Sequence, residues 1–476
     1  NDRIDHVAWL MAVENHGLKR ELQLRDLVLM QILVVVGLNF SGFAAKQGRS
    51  QVVLWLLAIC LFYLPQAAVV IRLSRAIPLE GGVYQWVKQG ISPFAGYMAG
   101  WSFSLYIICW YASFGSQVAS GLAYGAGAHG AWLGSKAFTL SLTVFLCLLV
   151  FALNVRGLHV TKWLSGTGSI LSIIIFLVMA YLLVRLWTKS HSLPHVAFSL
   201  AWPGFSLVTL NVFTKMALFA LSGFDQCSIF SEECRKPKND VARSVFIAVP
   251  CIALMYIVAT GAVLSYVPIA NIDLAAAVSQ VMQAGFGHSG MGAAITAFTV
   301  VAFCISLIAA LAVAVGLVAR LPMAAGWDGL LPSWWSRLNP RFGTPSRAIA
   351  AVSAALLLMG VLSLLGAHNQ EAVQVLGAVG FGSYCIMYML LFGAVIFGFR
   401  STSWRPGIAI RMGAAAAFAV ALIAFAFQLI PVGEVANPFL FAVKVVVAII
   451  ATSALGAFLY WRGTLRAAQS AALQEM

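Results

Sequence analysis

Apolar runs of membrane-spanning length recur along almost the whole chain, for example from Val52 to Ile71, from Phe138 to Leu153 and from Ile170 to Trp187. A hydrocarbon core about 30 Å thick is crossed by roughly 20 such residues in a helix. Only helices and closed barrels satisfy their backbone groups there. Twelve spans are expected, at 26-45, 51-72, 94-124, 137-153, 167-187, 206-231, 243-267, 290-319, 346-366, 373-398, 409-430 and 438-461. With 61% hydrophobic and 9% charged residues, a soluble globule would carry far more apolar surface than it could bury. The expected class is an all-α polytopic membrane protein. The segments between spans are too short for a second folded domain.

The net charge of +14 raises nucleic-acid binding as a possibility, and the positions of the basic residues remove it. With the N-terminus placed in the cytoplasm, inside segments hold 22 Lys and Arg, and outside loops hold 5, namely Lys46, Arg49, Lys136, Arg185 and Lys189. That asymmetry is the positive-inside pattern, and it predicts a multi-pass inner (cytoplasmic) membrane protein with both termini cytoplasmic. The first 23 residues are polar and mixed in charge, unlike the apolar core of a signal peptide. The eight cysteines lie in or beside apolar runs without Cys-x-x-Cys spacing, and the eight histidines are scattered, so no metal site is expected. An enzyme would need intramembrane His, Cys or paired carboxylates at one depth, and none are seen.

Two spans carry breaks. The first runs through Val34, Val35 and Val36 into Gly37, Leu38, Asn39, Phe40, Ser41 and Gly42. In the sixth, Phe219, Ala220 and Leu221 precede Ser222 and Gly223, and Asp225 follows within the apolar run. Glycine and serine can simply allow close helix packing. Spans 1 and 6, however, each open a five-helix set, and an odd number of crossings makes two such sets oppositely oriented. Interrupted helices at matching places in inverted halves point to a transport site, because half-helix ends present free NH and carbonyl groups. A zwitterion carrying a carboxylate and an ammonium suits such a site.

Four blocks carry a resemblance to the amino acid/polyamine/organocation (APC) permeases. Pro78 to Val87, reading Pro-Leu-Glu-Gly-Gly-Val-Tyr-Gln-Trp-Val, with Pro93 to Tyr97 after it, is similar to the segment between helices 2 and 3 of that family. Asn154, Val155, Arg156 and Gly157 resemble its turn into helix 5. Phe219 to Asp225, followed by Glu232, Glu233 and Pro237, resembles its helix 6 signature. Asp328 to Pro332 with Asn339 to Pro345 resembles its loop between helices 8 and 9. The resemblance implies a LeuT-type fold with helices 1 to 5 and 6 to 10 as inverted repeats and helices 11 and 12 peripheral. The corresponding layout is 1-25 as a cytoplasmic segment, 26-398 as the transport core, 399-461 as the peripheral pair and 462-476 as a cytoplasmic tail.

By position, the resemblance places carboxylate-binding backbone on Asn39, Phe40, Ser41, Gly42 and Phe43. Ammonium-binding carbonyls fall on Phe219, Ala220, Leu221, Ser222 and Gly223, with Phe219 as aromatic gate. Side-chain-reading positions fall near Tyr106, Ile107 and Tyr111 on helix 3, and near Ala310 and Ala314 on helix 8. Two departures bear on coupling. Ser172 stands where several proton-coupled or sodium-independent relatives keep a lysine, and Arg72 stands where a glutamate is common. Proton or sodium coupling and plain exchange therefore all stay open, with Ser306 a possible aid to sodium near Ser172.

Lys215 and Asp225 are gating or coupling candidates, since charge within a bilayer is costly. For Lys215 the alternative is snorkelling to the headgroups. Gln31, Gln66, Gln117 and Asn211 are read as helix contacts. The expected function is secondary transport of an amino acid, with a polyamine or organocation as the alternative and a non-transporting nutrient receptor behind it. Acidic amino acids gain from Lys215 and from the Gly-Gly-Val-Tyr-Gln-Trp segment, which resembles that of glutamate/aminobutyrate exchangers. No cofactor is expected. The partners are a small-molecule amino acid or amine and the lipid bilayer, with no nucleic acid. An obligate light subunit is not expected, because the loop after helix 3 lacks a cysteine.

Overall fold

The computed structural model describes residues 22-38, 40-77, 81-126, 130, 132-133, 135-190, 197-226, 234, 237-273, 276-287, 290-324, 330, 335, 337-365, 369-399, 405-431 and 437-474. Motif residues Pro78 to Glu80, Glu232, Glu233, Asp328, Gly329, Leu331 and Pro332 lie outside them, as does Asn39. The helices in chain order are α1 (Leu24–Val35), α2 (Phe40–Ala45), α3 (Gly48–Ala76), α4 (Val83–Gly90), α5 (Pro93–Tyr111) and α6 (Phe114–Ala126). There follow α7 (Lys136–Val155), α8 (Leu158–Ser190), α9 (Leu207–Ala220), α10 (Pro237–Tyr266), α11 (Ala277–Phe286) and α12 (Gly290–Ala324). The chain closes with α13 (Ser346–Leu365), α14 (Asn369–Phe397), α15 (Ile408–Phe427) and α16 (Pro438–Gln474). Among the described residues, eight helices are long and apolar enough to cross a membrane, and Leu207–Ala220 and Ser346–Leu362 are shorter apolar helices. The protein is an all-helical, polytopic membrane protein.

Several boundaries differ from the expected ones for local reasons. The span expected at 94-124 is two helices: the Ala112 N–H still reaches Ile108 O at 3.2 Å, but the Ser113 N–H bonds to Trp110 O at 3.2 Å and the regular i→i−4 ladder lapses there. In α3 a π-turn, Ile59–Tyr63, closes with the Leu64 N–H on Ile59 O. Pro65 follows directly, lacking a donor and crowding the carbonyl four residues back, and the wider turn relieves both. α16 continues to Gln474, beyond the membrane-length limit at 461, through the helix formers Leu465, Arg466, Ala467 and Ala468.

The core is aromatic and small-residue rich, with Trp55, Trp86, Tyr97, Tyr256, Tyr384 and Tyr388 fully buried. Small residues set the closest helix approaches. A Cβ on Gly168 of α8 would stand 2.5 Å from Ala309 Cβ of α12, so only glycine lets these two long helices touch. The Ser306 hydroxyl crosses that contact to Gly168 O at 3.0 Å, and the Ser169 hydroxyl donates to Leu29 O of α1 at 2.6 Å. At one end of the bundle two motif blocks meet, where the Thr344 hydroxyl donates to Val155 O at 2.9 Å. The Lys162 ammonium pairs with Asp26 at 2.7 Å, tying α8 to the start of α1.

Candidate functional site

α1 ends where Val36 leaves helical dihedrals, at φ −82° and ψ 82°. The Val36 N–H still reaches Ile32 O at 2.9 Å, but the Gly37 N–H turns to Val35 O and to the Tyr256 hydroxyl, each at 2.9 Å. The same hydroxyl donates to Val35 O at 2.8 Å. One oxygen on α10 thus serves both a donor and an acceptor that the interruption exposes, and a buried backbone group left bare costs about 1–3 kcal/mol. The Trp55 ring stacks on Tyr256 at 4.7 Å and its indole N–H donates to the Thr260 hydroxyl at 3.0 Å, so the plugging ring is held in place.

The second interruption forms differently. α9 widens into a π-helix over Lys215–Ala220 and stops at Leu221. Gly223 then takes φ +124°, a dihedral that side chains with a Cβ rarely adopt, and a Cβ there would also stand 3.1 Å from Val35 Cγ2. The two breaks therefore touch. Just beyond, the buried Asp225 carboxylate accepts from the Tyr388 hydroxyl at 2.7 Å and the Gln66 amide at 3.2 Å. The Tyr388 and Tyr384 hydroxyls lie 3.1 Å apart, and the Gln226 amide donates to Tyr384 at 3.3 Å. This network joins α3 and α14 to the end of α9.

A cavity of about 320 Å³ opens where the first break faces α5, α6, α8, α9 and α12. Leu33 to Leu38 form one wall. An aromatic belt encloses it: Phe40 stacks on Trp110 at 5.7 Å, Phe219 lies 3.9 Å from Phe381, and Tyr106 stacks on Tyr384 at 3.8 Å. Hydroxyls and an amide supply its polar parts, from Ser113, Ser116, Gln117, Ser172 and Ser306. The size fits a small organic solute, and no lining side chain carries a formal charge. Among the described residues, no three His, Cys, Asp or Glu side chains converge into a metal-binding group.

Of the residues singled out from sequence, Phe40, Phe43, Tyr106, Tyr111, Phe219, Ser172 and Ala310 come together on the cavity, as does Ser306. Ser41 and Gly42 are buried on the far side of α2. The Ser41 hydroxyl bonds to Leu38 O at 2.6 Å, and a Cβ on Gly42 would meet Ala277 of α11 at 2.8 Å. Ile107, Ala220, Leu221, Ser222, Gly223 and Ala314 are buried but off the lining. Asp225 sits behind Tyr384 and Tyr388, Lys215 sits behind Phe43, and Arg72 is exposed. Trp110, Phe114, Gln117 and Phe303 line the cavity without having been singled out as site residues. Gln117 is placed there by the lapse between α5 and α6, and its amide donates to the Ser113 hydroxyl at 3.1 Å. The Trp-Tyr-Ala-Ser sequence at 110–113 gives little warning of that lapse.

A family model described as amino acid permease matches residues 22–452. An uncharacterised transporter of Legionella pneumophila is 25% identical over 385 residues, 80% of this chain and 82% of the relative. A probable agmatine/putrescine antiporter of Lactococcus lactis is 22% identical over 250 residues, half of each chain. An aspartate/glutamate permease of the same species is 25% identical over 228 residues, 44% of each chain. Interrupted helices around a small uncharged cavity agree with a match of that extent, and the chain belongs to the amino acid permease family of the APC superfamily, whose members move small solutes across membranes.

Proposed function

We propose that this protein is a secondary transporter that carries an amino acid through the cavity beside the two interrupted helices by alternating access. The observation that carries the proposal is the wall formed by Val34 to Leu38, where the interruption of the first helix borders a solute-sized space that the Phe219 ring also lines. Such backbone can serve a substrate carboxylate and ammonium without a charged side chain. The proposal includes twelve crossings in a five-plus-five inverted repeat, with α15 and α16 peripheral and both termini cytoplasmic in an inner membrane. The core corresponds to 26-398, and no light subunit is required.

Phe219 would act as the gate, since its ring meets Phe381 on one side and the cavity on the other. The relatives' names span amines and acidic amino acids, so a polyamine remains the second reading. Against it stands a lining without carboxylates, which a dication would need for desolvation. Coupling by proton or sodium is decided by the same experiment as the substrate. Purified protein in liposomes is expected to show saturable counterflow of one class of amino acid, measured with and without a sodium or pH gradient and weakened in Phe219→Ala. A folded, monodisperse protein that moves amines but no amino acid, or neither, would overturn the reading.

A further inference from the structure

Among the described residues near the cavity, Lys215 is a buried charged group whose place the proposed transport cycle leaves unexplained. Its side chain is 8% exposed. An ammonium so enclosed within a membrane-spanning helix is costly unless an anion or a strong acceptor meets it. Among the described residues, the carboxylates with a defined partner are engaged elsewhere: Asp26 with Lys162, Asp225 with Tyr388 and Gln66, and Asp273 with the Tyr124 hydroxyl and the Ala276 N–H. Asp240 lies in the first turn of α10. What Lys215 does touch is the Phe43 ring, with its Nζ 5.5 Å from the centroid.

Phe43 is a cavity-lining residue, and so is Phe219, one turn along from Lys215. The ammonium therefore stands one aromatic ring behind a wall that itself carries no formal charge. An aromatic face holds a cation more weakly than a carboxylate does when both are desolvated. Phe43 is also less buried than its neighbours Gly42 and Ala44, and its ring lies 6.0 Å from that of Phe40.

We propose that Lys215 is a specificity-determining residue that attracts the side-chain carboxylate of an acidic amino acid, making the preferred substrates anionic. This deepens the transport reading and rests on it. On the transport reading the main-chain carboxylate is held at the first break, which leaves Lys215, behind Phe43, to the side-chain carboxylate. An ammonium about 8 Å from a carboxylate at an effective dielectric near 20 corresponds to about a thirtyfold preference over the neutral amide, and to a comparable bias against a dication.

The test is counterflow in proteoliposomes with glutamate, glutamine, aspartate, asparagine and agmatine, using the wild type, Lys215→Met and Lys215→Arg. The wild type is expected to favour glutamate over glutamine by tenfold or more. Lys215→Met should bring that ratio near one while glutamine movement persists, and Lys215→Arg should keep most of the preference. A wild type that prefers neutral amino acids or agmatine overturns the proposal without any variant being needed. So does a Lys215→Met protein with an unchanged ratio, or one that loses all amino acids equally, which would place the main-chain carboxylate at Lys215. If amino acids move with a glutamate-to-glutamine ratio that does not depend on Lys215, the transport reading survives and this proposal fails. If no amino acid moves through a folded protein, both fail.

Discussion

The two interruptions meet the same backbone problem with opposite geometry. At Val36–Leu38 a single side chain from α10, Tyr256, serves a donor and an acceptor from one side and leaves the other side of the segment on the cavity. At Leu221–Gln226 no residue lines the cavity, and the polar groups turn outward to Gln66, Tyr384 and Tyr388. On the proposed reading, the first break recognises substrate and the second links recognition to movement of α3 and α14. A segment clamped from one side can offer backbone to a ligand, whereas a segment embedded in a side-chain network transmits displacement to its neighbours.

The largest effect is expected at Tyr256→Phe, which keeps the ring but removes both hydrogen bonds at the first break. It should lower stability by about 2–3 kcal/mol, read as an earlier thermal transition in detergent, and raise the half-saturation concentration for uptake. A variant that melts and binds like the wild type would remove the contrast between the breaks. Tyr388→Phe should have a middle-sized effect, about 1–2 kcal/mol, because Gln66 still donates to Asp225. Here the comparison predicts a lower maximal rate with little change in half-saturation, and a change confined to half-saturation would break it. The smallest effect belongs to Arg72→Ala. That side chain is exposed and off the cavity lining, so stability should change by no more than about 0.5 kcal/mol and uptake kinetics should hold. A loss of uptake in Arg72→Ala would instead assign it a coupling role.

Much of the helical plan was legible because the bilayer imposes a length and a polarity that single runs of sequence display directly. The span expected at 137-153 is α7, Lys136–Val155, and the one at 409-430 is α15, Ile408–Phe427. The breaks were also legible, since Gly37 and Gly223 interrupt apolar runs at places where a helix gains nothing from glycine. The lapse at Ser113 was not, because Trp-Tyr-Ala-Ser is compatible with an unbroken helix. Just beyond it Gly115 packs against Thr143 of α7 so closely that a Cβ would clash, a contact that only the tertiary structure reveals.

Direction was what the sequence withheld within the candidate site. Phe40, Phe43 and Phe219 could be placed near a cavity by their position in the chain, yet the same reasoning put Ser41 and Gly42 there, and α2 turns them toward Leu38 and α11. A helix of six residues following a break has no long apolar stripe from which to read its orientation. Gln117 and Trp110 reach the cavity because α5 and α6 are offset, and Tyr256 plugs the first break from 219 residues away in sequence. By itself the sequence determined that this chain lives in a bilayer, that it is helical, and that two of its helices are interrupted, because each of these follows from local composition meeting a fixed solvent thickness. Which faces of those interruptions meet a solute, and which are sealed by tyrosines from α10 and α14, only the tertiary structure decided, because that depends on side chains brought together from distant helices.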